Sequence, residues 1–160
     1  MKKISLGTNA LLFEDINQLS DVDKNLMKFA VKATKDAYAP YSKFSVGAAL
    51  LMEDDTIITG NNQENAAYPS GMCAERVAIW KASSSFPNKK VKKIAIAAIS
   101  SNKKLDRPVG PCGACRQTLF EYEVKQGIDV EVIFMGEVGN VIKTNSIASL
   151  LPFSFDNTYL

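Results

Sequence analysis

Pro111-Cys112-Gly113-Ala114-Cys115-Arg116-Gln117 (residues 111–117) answers Pro69-Ser70-Gly71-Met72-Cys73-Ala74-Glu75-Arg76 (residues 69–76). Together the two stretches hold all three cysteines of the 160-residue chain. Each cysteine segment reads as the start of a helix. Cys73 opens one through Ala82, and Cys112 opens another that ends near Gly127. A C-x-x-C at a helix start turns both sulfurs to one side of the first turn. The exposed N–H groups there lower thiol pKa and favour thiolates. Both helices follow loops after strands, so both starts can meet at one edge of a sheet.

The rest of the chain bounds what these segments can do. There is no histidine, which removes Ser-His-Asp triads, Cys-His dyads and imidazole metal ligands together. An odd cysteine count, with two of the three closely spaced, is not a secreted disulfide framework. Net charge is +2, which gives no electrostatic case for nucleic acid as a partner. No apolar run approaches a membrane span, and no apolar core follows Lys2 and Lys3 as a signal peptide would require. A cytoplasmic protein with no membrane partner is expected.

Outward from the cysteines, the elements follow from period and punctuation. Ser20 caps a helix with Val22, Leu26, Phe29, Ala30, Ala33 and Ala37 at spacings of three and four. It stops near Tyr38 because Pro40 disfavours helical geometry at Ala39. Strands are expected at 44–52, 56–59, 91–100, 129–135 and 141–144, with a short helix capped by Ser146. The expected architecture is one α/β domain over residues 1–160, with 1–19 as an N-terminal arm. It is a three-layer α/β/α sandwich, with helices on both faces of a mixed, mostly parallel five-stranded sheet.

Three thiolates with one coordination position left open make a catalytic zinc site, since structural sites are normally closed by four ligands. The set leaves a net charge of −1 on the metal centre. Arg76 and Arg116 stand beside the sulfurs and can offset it. Glu75 is the natural proton carrier. Taken singly, Cys73 would be ordinary packing and the C-x-x-C a redox pair; the joint pattern is far more specific.

The paired segments match the signature of zinc nucleobase deaminases, with cysteine in place of the first histidine. Over 20–155 the chain resembles cytidine deaminase, of the small homotetrameric three-cysteine type. The resemblance also rests on Ala39-Pro40-Tyr41-Ser42-Lys43-Phe44-Ser45-Val46-Gly47-Ala48-Ala49-Leu50, on Asn62-Gln63-Glu64-Asn65-Ala66-Ala67-Tyr68-Pro69 and on Leu150-Leu151-Pro152-Phe153-Ser154-Phe155. It implies one Zn2+ per chain on Cys73, Cys112 and Cys115, with Glu75 as general acid and base. It implies that Asn62 and Glu64 hold the ribose hydroxyls of a nucleoside, that Phe44 contacts the base, and that the Ala74 N–H meets the pyrimidine carbonyl. Tyr68 and Phe155 would complete a neighbouring subunit's pocket in a homotetramer with shared active sites, and Arg76 would temper the thiolates. The implied reaction is hydrolysis of cytidine and deoxycytidine to uridine and deoxyuridine, in pyrimidine salvage. Alternatives are a deaminase of another cytosine-bearing or purine compound, and a non-catalytic zinc module. Two positions depart from the family pattern, Ser45 where proline is usual and Asn61 where cysteine is common. The segment 84–109 is longer than in compact relatives.

Overall fold

The computed structural model describes all residues, Met1–Leu160. The elements run β1 (Ala10–Phe13), α1 (Asp21–Ala33), β2 (Phe44–Met52), β3 (Ile57–Asn61), α2 (Ala74–Ser85), β4 (Val91–Ser100), α3 (Gly113–Gln126), β5 (Glu131–Met135) and β6 (Val141–Thr144). Short 3-10 turns include 34–36 after α1 and 148–150 near the C-terminus.

The three-layer architecture holds, and the sheet differs from expectation in two ways. It has six strands, in the order β1-β6-β5-β4-β2-β3. The extra strand comes from the arm, where Ala10–Phe13 pairs antiparallel with Val141–Thr144. The sheet is also mostly antiparallel, because only β4 and β5 pair in parallel. The reason lies in the connections. Two joins are hairpins, β2–β3 and β5–β6. The helical crossover from β3 through α2 lands β4 beside β2 rather than beside β3, so that pair is antiparallel too. Only β4-α3-β5 is a crossover between neighbours.

Alternation along the strands sorts the core into two layers. Ala48, Leu50 and Met52 of β2 join Ile94, Ile96, Val132 and Phe134 beneath α2 and α3, with Ala78, Ile79 and Leu119 packed on them. Ala49 and Leu51 face the other way, with Ala95, Ala97, Ile133 and Met135, beneath Leu26, Met27 and Ala30 of α1. Helices α2 and α3 therefore share one face, and α1 covers the other.

Ser20 caps α1 as expected, its Oγ accepting from the Asp23 N–H at 3.2 Å. Leu26, Ala30 and Ala33 are buried as read, but the stripe is rotated at its edges. Val22 and Phe29 are exposed, while Asp23 is buried. Asp23 turns inward because two lysines of the sheet meet it. Its Oδ1 lies 2.7 Å from Lys93 Nζ and its Oδ2 2.8 Å from Lys143 Nζ. Both lysines also pair with Glu131. Burial opposes ionisation of Asp23, but hydrogen bonds from Lys143 and Lys93 overcome it and hold the carboxyl below its ordinary range. Glu131 is shifted the same way: burial opposes, and the hydrogen bonds from Lys93 and Lys143 prevail.

Two glycines set how closely the helices approach. A Cβ on Gly60 would lie 2.5 Å from the Ala78 nitrogen and 2.6 Å from the Ala74 carbonyl oxygen of α2. A Cβ on Gly47 would lie 2.1 Å from the Ala30 carbonyl oxygen of α1. The neighbours are backbone atoms, which cannot swing aside.

Replacing Gly60 by alanine is expected to push α2 off β3 and to cost about 1–3 kcal/mol, read as a lowered thermal midpoint. Asp23→Asn is expected to cost roughly 1–3 kcal/mol at neutral pH, because it removes one carboxylate from two half-buried lysines. Depressed carboxyl pKa values mean that the unfolded chain binds more protons at acidic pH. Stability from Asp23 and Glu131 is therefore full above the ordinary carboxyl range and is lost as pH falls through the folded-state values. Thermal scans should show that loss in the parent and a smaller loss in Asp23→Asn.

Candidate active site

Cys73 and Cys112 occupy the N-cap positions of α2 and α3, and neither side chain makes a capping hydrogen bond. A helix N-terminus normally recruits a Ser, Thr, Asp or Asn oxygen for its free N–H groups. Here both helices leave those donors open and aim their positive ends at sulfur. Cys115 sits in the first turn of α3 and is fully buried. The Cys73 and Cys112 sulfurs are 4.0 Å apart, and all three sulfurs lie within 4.8 Å of one another. The three cysteines expected to converge do converge.

The donor set fits zinc. Thiolates about 2.3 Å from a tetrahedral zinc lie about 3.8 Å from one another, close to the 4.0 Å seen between Cys73 and Cys112. The proton balance points the same way. A hydrogen bond from Cys115, helped by one from Arg76, lowers the Cys73 thiol to about 5. Cys115 is pushed strongly upward by that same hydrogen bond and by burial. Thiolates gathered this closely repel one another, and a cation among them would relieve that. Cys73, Cys112 and Cys115 are the residues that could hold a zinc ion.

Arg76, in the first turn of α2, donates from Nη2 to the Cys73 sulfur at 3.5 Å. Its guanidinium lies 6.0 Å from the centre of the Trp80 ring. Arg116 behaves differently from expectation. Its hydrogen bonds go to the carbonyls of Pro111 and Leu150, not to sulfur. One arginine therefore offsets the thiolates, and the other serves the backbone.

Glu75 is 4% exposed, immediately beside the sulfurs. Burial raises its pKa, and the neighbouring Cys73 adds to the rise. A carboxyl in this setting holds a proton more readily than a surface carboxyl does.

From the sulfurs a cleft of about 550 Å³ opens outward, lined among others by Phe44, Val46, Asn62, Glu64, Tyr68, Cys73, Glu75 and Cys112. The loop bearing Asn62 and Glu64 is irregular but pinned. Gln63 exchanges two backbone hydrogen bonds with Met72, both 2.8 Å, which fastens it next to Cys73. Glu64 Oε2 accepts from the N–H groups of Tyr41 at 2.9 Å and Ser42 at 3.2 Å. A hydrogen bond from Ser42 leads the effects that hold the Glu64 carboxyl below its usual range.

Asn62 does more than line the cleft. Its Oδ1 accepts from the Val46 N–H at 2.8 Å, and its Nδ2 donates to the Phe44 carbonyl at 2.9 Å. The amide thereby holds the opening of β2, including the backbone of Phe44. One N–H and one lone pair remain for a ligand.

The other expected residues fall at the margins. Ala74 is fully buried, and its N–H belongs to the first turn of α2. Tyr68 stands at the rim, 77% exposed, edge-on to Tyr41. Phe155 is exposed, stacks on Tyr159 and does not line this chain's cleft. Val109 and Gly110 do line it, although the 101–111 segment reads as a polar loop. The loop is anchored by buried Leu105, whose carbonyl accepts from Glu137 and Val138. Leu105 and Val109 are the loop's apolar side chains and the available signal for this.

Comparison with known proteins agrees with this geometry. The model of the cytidine and deoxycytidylate deaminase zinc-binding region matches residues 20–130. A cytidine deaminase of Halalkalibacterium halodurans is 43% identical over 81% of this chain and 91% of its own length. One from Sporosarcina psychrophila is 42% identical over 84% and 91%. The crystal structure of cytidine deaminase from Burkholderia pseudomallei superposes with a TM-score of 0.71 at 37% identity, covering 82% of this chain and 97% of that one. With three sulfurs gathered at two helix starts and a buried glutamate beside them, the chain belongs to the cytidine and deoxycytidylate deaminase zinc-binding family.

Proposed function

We infer that this chain is a zinc-dependent cytidine deaminase. It converts cytidine and deoxycytidine to uridine and deoxyuridine with release of ammonia. The observation that carries the reading is buried Glu75 beside the three-sulfur cluster, at the inner end of a cleft lined by Phe44, Asn62 and Glu64. Bound zinc supplies the Lewis acidity that makes water a nucleophile at neutral pH.

The protein's own groups do the rest. Glu75 takes a proton from the water that attacks C4 of the pyrimidine and gives it to N3. It then takes the remaining proton from the new C4 hydroxyl and passes it to the amine as the C4–N bond breaks, leaving a C4 carbonyl and ammonia. Its raised pKa suits both roles. The Ala74 N–H, at the positive end of α2, receives the pyrimidine carbonyl, and the Phe44 ring packs on the base. Glu64, fixed through one oxygen, presents the other to the ribose hydroxyls, and Asn62 offers its remaining donor beside it. Arg76 withdraws charge from Cys73 and so keeps the centre electrophilic.

The exposed aromatic rims complete the proposal. Tyr68 and Phe155 serve the cleft of a neighbouring subunit in a homotetramer. Exposed aromatics at the mouth of a cleft are what such sharing requires. Pyrimidine salvage in the cytoplasm is the cellular role that fits free thiols and a nucleoside substrate.

Zinc-loaded protein should consume cytidine, followed as loss of ultraviolet absorbance, with one zinc per chain by elemental analysis. Glu75→Gln should keep the zinc and lose turnover by at least about 10²-fold. Glu64→Ala should act mainly by raising KM, because it removes a hydrogen bond to the sugar and not to the reacting atoms. Unchanged cytidine kinetics in Glu64→Ala would contradict the ribose assignment.

A further inference from the structure

The two residues after Cys115 reach away from the cleft. Arg116 Nε donates to the Pro111 carbonyl at 2.8 Å, and its Nη1 donates to the Leu150 carbonyl at 3.0 Å. Pro111 immediately precedes Cys112. One guanidinium therefore joins the turn that delivers two sulfurs to the segment near the C-terminus. Gln117 adds a second link, donating from Nε2 to the Phe155 carbonyl at 2.9 Å.

Residues 151–155 belong to no helix or strand, so their carbonyls must find partners elsewhere. Two carbonyls of the 150–155 stretch find them on the first turn of α3. The stretch just before is fastened further along the same helix. Buried Glu123 accepts from the Ile147 N–H at 2.8 Å and the Ala148 N–H at 2.9 Å. Residues 147–155 thus lie along α3 like a splint.

The turn needs such support. Cys115 is fully buried and is held by packing, whereas Cys112 is exposed. On the Cys112 side Pro111 is buried, but Cys112, Gly113 and Ala114 are exposed, and a side-chain hydrogen bond from Arg116 to the Pro111 carbonyl fastens this side. The Arg116 guanidinium, with a rigid planar fork, can hold two carbonyls at once; a lysine ammonium on a flexible stem cannot do so with the same geometry.

We propose that Arg116 and Gln117 are positioning residues that make Leu150–Phe155 an outer brace of the metal centre. The brace keeps the Pro111–Cys115 turn in ligating geometry. The proposal rests on the zinc reading above. Loss of an outer partner of this kind weakens metal retention by about 10-fold or more.

The test is zinc release from purified, zinc-loaded protein to a chromophoric chelator, well below the unfolding temperature. Arg116→Lys should release zinc about 10-fold faster than the parent. Gln117→Ala should act in the same direction to a smaller extent, and it decides the matter if Arg116→Lys does not fold. Asp23→Asn, on the opposite face of the sheet, should lower the thermal midpoint without speeding release. Release at the parent's rate in the Arg116 and Gln117 variants would overturn the brace. So would acceleration that only tracks lost thermal stability, as Asp23→Asn would then also show. A parent that binds no zinc would instead overturn the metal reading itself.

Discussion

Three sulfurs held within 4.8 Å of one another impose the condition that the rest of the molecule meets. Two like charges 4 Å apart repel by about 4 kcal/mol at the effective dielectric of a protein near its surface. The hydrogen bond between Cys115 and Cys73 lowers the Cys73 thiol and, with burial and the nearby charges of Glu75 and Cys73, pushes Cys115 upward. A cation relieves the repulsion. Short of one, the fold supplies partial remedies: two helix N-termini at the capping cysteines, and Arg76 on the Cys73 sulfur.

The sheet makes the convergence possible. Both crossover helices lie on the same face, so α2 and α3 start side by side at one end of it. Gly60 lets α2 settle directly on β3, with Ala74 and Ala78 against the strand. Cys73 and Glu75 are therefore placed by a backbone-to-backbone contact, which permits little adjustment. On the substrate side, Asn62 holds the first residues of β2 while the Gln63–Met72 pairing holds the loop. The cleft wall and the metal ligands are consequently joined through a few residues of continuous structure.

The metal centre was legible because its chemistry is local in sequence. C-x-x-C at a helix start, and a cysteine two residues before a glutamate, state their geometry directly. Strands β2, β4 and β6 were legible to the residue from apolar runs and punctuation. What escaped depended on partners distant in the chain. Period alone placed Val22 and Phe29 on the buried stripe of α1, since it could not foresee Lys93 and Lys143 drawing Asp23 inward. The arm reads equally as poorly ordered or as a strand-like cover, and the edge that β6 offers from residue 10 decides between them. Strand direction misled for a related reason: a crossover helix does not say which neighbour its strand will find. Arg116 stands beside a cysteine in sequence, yet its acceptors are carbonyls, one of them 34 residues away at Leu150.

The most direct test of the central claim is X-ray absorption at the zinc edge of the loaded protein. Three sulfur neighbours at about 2.3 Å and one lighter oxygen or nitrogen neighbour would show three thiolates with a position kept for water. A shell of four sulfurs, or one of light atoms alone, would contradict it.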